Sequence, residues 1–150
     1  MAKTTDENFR KLNAAKKYDD AKLNGMVDRD FSNTLDQMIR IKGLTTSYLV
    51  EHTTLSKSYI NKMRNPSRKD DKPSRSAIIN IAIGMDATLD ETNLLLKRMQ
   101  YQELYTRDKA ESIIIWGMLK KKSGSEIREL LYSKGLHDKL FPEKAEKKTK

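Results

Sequence analysis

The 150 residues carry 30 Lys and Arg against 21 Asp and Glu, a formal net charge of +9, with 37% hydrophobic residues and no cysteine. That size allows one domain, or one with a small extension, and a charged fraction of 34% argues for a compact core rather than a large cavity-bearing enzyme. Disulfide frameworks and thiolate metal sites are excluded, no run approaches the roughly 18–20 apolar residues that cross a bilayer, and the N-terminus lacks a secretory apolar stretch, so a cytoplasmic protein without membrane attachment is expected.

Residues 1–29 are polar, with only scattered Leu12, Leu23 and Met26, and read as a flexible arm because they have little to bury. At Phe31 the pattern changes. Phe31, Leu35, Met38 and Ile39 recur at helical spacing and Gly43 supplies a stop, which defines a first core helix. Leu44 to Asn65 then reads as two short helices joined by a tight turn. The first, over about 45–52, starts at a Thr45 cap and turns Leu49 and Val50 inward. A break follows at Thr53-Thr54, and Leu55 plugs the corner. Ser56 caps a second helix, to about 64, with Ile60 and Met63 inward. What this helix turns outward is Lys57, Ser58, Tyr59, Asn61 and Lys62, side chains that reach phosphates and base edges. Such a pair is a helix-turn-helix, and double-stranded DNA is its expected partner.

The charge follows the same division. Residues 31–76 hold nine basic and four acidic side chains, a balance of +5, whereas residues 77–110 hold four and five. The excess therefore sits where a polyanion would lie. It includes the loop Asn65-Pro66-Ser67-Arg68-Lys69-Asp70-Asp71-Lys72-Pro73, fenced by two prolines. A fourth helix starts near Ser74 and buries Ile78, Ile79, Ala82 and Ile83. A fifth starts at Thr88 and buries Leu89, Leu94, Leu95 and Leu96. No segment alternates as a strand would.

Beyond residue 76 the chain repeats itself at an interval of 35. Ile78-Ile79 corresponds to Ile113-Ile114, the tetrad from Thr88 to Glu91 to that from Ser123 to Glu126, and Leu95-Leu96 to Leu130-Leu131. Both S/T-x-x-E tetrads are capping boxes. Chance likeness between two amphipathic pairs is the alternative; either way a C-terminal helix pair over about 108–134 is expected beside the first domain. The organisation is thus an arm at 1–29, a helix-turn-helix domain at 30–105, a packed helical pair at 106–141 and a disordered basic tail at 142–150.

For the individual side chains, Asn61 has the groups for a bidentate contact with adenine, and Lys57 or Lys62 for guanine, each worth roughly 1–3 kcal/mol of discrimination. Ser58 permits close approach to the groove floor. Tyr59 either packs on a thymine methyl or a sugar, or is partly buried against Phe31. Arg64, Asn65, Arg68, Lys69, Lys72 and Arg75 are placed to meet phosphates, with a solvated loop as the alternative for the basic ones. Trp116, in the run Ile113-Ile114-Ile115-Trp116, is expected to fill a core or a dimer interface, and Met85, Met99 and Met118 to fill core gaps. His52 and His137 stand isolated, and Asp70-Asp71 reads as a solvated charge pair. No catalytic residue, metal site or cofactor is assigned.

Residues 31–96 resemble the lambda-repressor-like DNA-binding family of phage repressors and small bacterial regulators. The likeness rests on Leu44-Thr45, Leu49-Val50-Glu51, Leu55-Ser56-Lys57-Ser58-Tyr59-Ile60, and Asn65 closing the last helix before Pro66. It implies an all-α, five-helix fold in which Thr45, Thr46 and Ser47 anchor phosphates and the outward face of the third helix enters the major groove. Three departures stand out: Thr54 where the family turn usually has glycine, Val50 where it has a small alanine, and a longer, more basic loop after the third helix. The expected function is a sequence-specific regulator, a repressor of a mobile element or of its own operon, acting as a homodimer through the C-terminal helices. The alternatives are a protein-interaction adaptor on the same scaffold and a basic protein that coats DNA without choosing sequence.

Overall fold

A computed structural model describes residues 20–65 and 72–142, with side chains from residue 30 onward. Among the described residues the fold is all-α. Its helices are α1 (Asp20–Ile41), α2 (Thr46–His52), α3 (Lys57–Arg64), α4 (Arg75–Gly84), α5 (Leu89–Arg98), α6 (Lys109–Leu119), α7 (Gly124–Ser133) and the single turn α8 (His137–Leu140). No helix among them is long and apolar enough to cross a membrane.

Caps set most of these starts. Thr45, Ser56 and Ser74 each accept the amide of the residue three positions on, at 3.0–3.1 Å, and so satisfy one of the four donors a helix start leaves open. Thr88 with Glu91 and Ser123 with Glu126 form complete capping boxes. The first helix departs from expectation. It begins at Asp20, inside the stretch read as an arm, while residues 1–19 and 143–150 lie outside the described residues. The packed turns of Phe31, Leu35 and Ile39, all fully buried, provide the nucleus, and extending an existing helix into polar sequence is cheap compared with starting one.

α4 is the centre. Every residue from Ala77 to Gly84 is buried, because α2, α5 and α7 cover it on separate sides. On α5 the buried positions are Thr92, Leu95 and Leu96, while Leu89 and Leu94 are half-buried. The polar Thr92 takes an inward place because its hydroxyl donates to the Thr88 carbonyl at 2.9 Å. Met85, Met99 and Met118 all lie in the core.

The 35-residue interval extends to the backbone. Helices α5 and α7 are the same length and start 35 positions apart. Asp86 and Lys121 both take positive φ, 55° and 58°, after the first helix of each unit, and Gln100 and Gly135 do so after the second, at 63° and 69°. The closing bonds match as well: Ala87 to the Ala82 carbonyl at 3.0 Å and Lys122 to that of Gly117 at 2.9 Å; Tyr101 to Leu96 and Leu136 to Leu131, both at 2.9 Å. The two units stack, α6 on α5 and α7 on α4. Gly124 is required there. Its amide donates to the Asp86 carboxylate at 2.5 Å, and a Cβ would run into the Ile83 carbonyl oxygen.

Candidate nucleic-acid interface

Helix α3 is held on three sides before its outward face is considered. Ile60 and Met63 anchor it in the core. At its C-terminal end Arg64 reaches back to α1, with Nε and an NH2 nitrogen both 2.7 Å from Oδ1 of Asp36, and its other terminal nitrogen donates to the Thr46 hydroxyl at 3.1 Å. Asp36 also receives Arg40 Nε at 2.7 Å on its second oxygen. Partial burial opposes ionisation of Asp36, but the hydrogen bonds from Arg40 and Arg64 outweigh it and hold the carboxyl below its usual range. The Ser32 hydroxyl donates to the Asn65 carbonyl at 3.4 Å, tying the helix end to α1. Near its start, the Tyr59 hydroxyl accepts the Ser74 amide at 3.2 Å, which fastens α3 to the first residue of the α4 cap.

The turn between α2 and α3 is rebuilt with threonines. Thr53 is extended, at φ −132°, and neither it nor Thr54 takes a positive φ. The Thr53 hydroxyl donates to the Leu49 carbonyl at 2.7 Å and accepts the Leu55 amide at 3.1 Å. Thr54 donates its amide to Asn80 Oδ1 at 3.3 Å and accepts Asn80 Nδ2 at 2.6 Å on its hydroxyl. Two side chains and a buried asparagine thus do what a left-handed glycine does elsewhere.

From Asn80 the polar thread runs on into the second unit. Arg128 on α7 donates to the Asn80 carbonyl at 2.8 Å and to its side-chain oxygen at 2.6 Å, and meets His137 Nε2 at 3.0 Å. An arginine only donates, so Nε2 accepts and the His137 proton sits on Nδ1, 3.2 Å from the Asp138 carboxylate. Burial without a carboxylate partner pushes Arg128 down to about 10, still charged at neutral pH. Nothing local in the sequence marks this thread. Its members lie 26, 48 and 9 positions apart.

Against that frame the expected contact residues divide. Lys57, Ser58, Asn61 and Lys62 lie exposed on α3, a helix with three basic residues and no acidic one. Asn65 is exposed at its end, and Thr45 and Ser47 are exposed at the start of α2. Lys72 is exposed too, its ammonium 4.7 Å from the Tyr101 ring centroid. Tyr59 is half-buried and spent on Ser74. Thr46 and Arg64 are spent on each other and on Asp36. Arg75 pairs with Glu111 on α6 at 2.5 and 2.9 Å and donates to the Gln102 and Glu103 carbonyls, each at 3.0 Å, which makes it a clasp between the two units. Arg68 and Lys69 lie outside the described residues.

Trp116 is not in the core. It is 47% exposed, beside Leu119 at 63%. The two histidines are structural: His52 donates to the Tyr48 carbonyl at 2.8 Å and stacks on the Tyr48 ring, and His137 stacks on Tyr132. No protein-family model, curated protein or solved structure matches the chain.

Proposed function

We propose that the chain is a cytoplasmic, sequence-reading DNA-binding regulator of the lambda-repressor-like helix-turn-helix kind. In this reading α3 enters the major groove. Asn61 pairs with adenine, Lys57 or Lys62 with guanine, and Ser58 sits against the groove floor. Thr45 and Ser47 at the start of α2, with Asn65 and Lys72 behind α3, meet the flanking phosphates. One such helix reads only a few base pairs, so a homodimer over two half-sites, repressing a mobile element or its own operon, is the form expected to act.

The observation that carries this reading is the contrast on α3 itself. Its inward and terminal groups are fixed by the core, Asp36 and Ser74, while Lys57, Ser58 and Asn61 are exposed together on a helix that carries no acidic residue. A rigid helix with a polar, basic, exposed face suits groove reading.

Selection of bound fragments from random duplex DNA at near-physiological salt, followed by a salt titration on the winner, tests it. A palindromic motif is expected, with log affinity falling against log salt by about 0.9 per phosphate contacted. Asn61→Ala should lose roughly 1–3 kcal/mol of discrimination at one position of each half-site. Binding without a motif identifies a non-specific coat, and no retention at all sinks the regulator reading. The adaptor alternative has its own observation, the open face around Trp116.

A further inference from the structure

Each position in the second unit has a counterpart in the first. Trp116 and Leu119 on α6 stand where Ile81 and Gly84 stand on α4. On α4 that face is closed. Ile81 is fully buried, and Gly84 lies so near the α2–α3 turn that a Cβ would strike the Thr53 side chain and meet the His52 carbonyl oxygen at 3.0 Å. On α6 the same face is open and carries the larger side chains. The fold therefore already seats a helical corner against this face once and, among the described residues, leaves the second seat uncovered.

The rim of the open seat is predominantly basic. Lys109, Lys120, Lys121 and Lys122 are exposed around it, and the Lys122 ammonium lies 5.9 Å from the Trp116 ring centroid. Three acids lie nearby and each is engaged: Asp108 caps α6 by accepting the Glu111 amide at 2.9 Å, Glu111 is locked to Arg75, and Glu126, which also attracts Lys122, accepts the Ser123 amide at 2.9 Å in its capping box.

We propose that this face docks an acidic, amphipathic helical segment of a partner protein, its apolar side chains on Trp116 and Leu119 and its carboxylates on the lysines. Charge decides between occupants. A second copy of the chain would set these lysines against their own kind, and like charges facing each other in an interface oppose association. Leu119 at the place of Gly84 keeps the occupant at side-chain distance, as helix-in-groove docking requires. Tryptophan anchors framed by charged rims are where binding energy concentrates. The inference is independent of DNA binding, because α6 and α3 are separate surfaces.

The test selects binders to the full chain from a displayed library of amphipathic helical peptides whose polar face varies freely in charge. Acidic winners are expected. Trp116 is the only tryptophan, so their binding should shift its emission to the blue. Affinity should weaken about tenfold or more with Leu119→Ala, and likewise when Lys120 and Lys121 are reversed to glutamate. Winners of neutral or basic character, or acidic winners that bind the Leu119→Ala chain unchanged, overturn the proposal. So does a blue shift that follows protein concentration alone, which would identify a second copy, or one produced by anionic lipid vesicles and not by any peptide.

Discussion

The two helical units after residue 74 share one backbone plan and differ in how they are covered. In the first, α4 is buried from Ala77 to Gly84 and within that stretch holds one polar side chain, Asn80, at the meeting point of the α2–α3 turn and Arg128. In the second, α6 buries Ala110, Glu111, Ile114, Gly117 and Met118 and leaves Trp116 and Leu119 outside. A repeat thus fixes where helices start and stop, while neighbours decide what each face is for. The unit that gained a covering turn became the centre of the domain. The unit that did not keeps an apolar face with no occupant among the described residues.

Equivalent positions should therefore respond unequally to the same change. Ile81→Ala removes a fully buried side chain from a crowded helix and should cost about 2–5 kcal/mol in denaturant unfolding. A cost below about 1 kcal/mol would mean that α4 is not the packed centre of the fold.

The polar thread comes next in size. Asn80→Ala strips Thr54 of two hydrogen bonds and Arg128 of one of its two side-chain acceptors, leaving a buried guanidinium shorter of partners; about 1–3 kcal/mol should be lost. Arg128→Met, which removes the buried charge as well as its bonds, should cost less than Asn80→Ala. The reverse order would show that the arginine is a net stabiliser of the stacked units. If the thread couples the units, Asn80→Ala should also raise amide exchange in both the α2–α3 turn and α8.

A smaller effect separates the clasps. Asp36, on the α1–α3 side, and Glu111, between the units, both have carboxyl groups held below their ordinary range. For Glu111 burial opposes ionisation, and the hydrogen bonds from Arg75 and the Tyr105 amide outweigh it. A carboxyl whose folded pKa is lowered contributes stability that is complete above its unfolded value and is lost as pH falls through the folded one. Stability should accordingly fall on acidification below about pH 4. Asp36→Asn and Glu111→Gln should each flatten that acid limb while costing about 1 kcal/mol or less at pH 7. An unchanged limb in both variants would place the acid sensitivity elsewhere.

What the sequence reveals and what it hides follow from range. Thr45, Ser56, Ser74, Thr88 and Ser123 announce helix starts because a cap is chosen within four residues, and Leu49, Ile60, Ile79 and Leu96 announce burial through helical spacing. Arg64 and Arg75 were legible as basic and near the right helix, but not as clasps. Their acids lie 28 and 36 positions away, and only the packing of α3 on α1 and the stacking of the second unit on the first bring them together. The break at Thr53-Thr54 was legible; the bonds that hold Thr54 were not, because they come from Asn80 across the core. The exposed basic face of α3 was therefore readable in the sequence, and the internal partners of Arg64 and Arg75 were not.

The smallest expected effect bears most directly on the comparison. Trp116→Ala occupies the register of Ile81→Ala, yet Trp116 is nearly half exposed, so the isolated chain should lose about 1 kcal/mol or less. A loss as large as that of Ile81→Ala would mean that the face is covered in solution after all, and a loss that grows with protein concentration would identify the cover as a second copy. A near-silent substitution is the more telling result. A large aromatic side chain that adds little to folding, beside an exposed leucine and with the Lys122 ammonium 5.9 Å from its ring, is a side chain whose energy is available for binding.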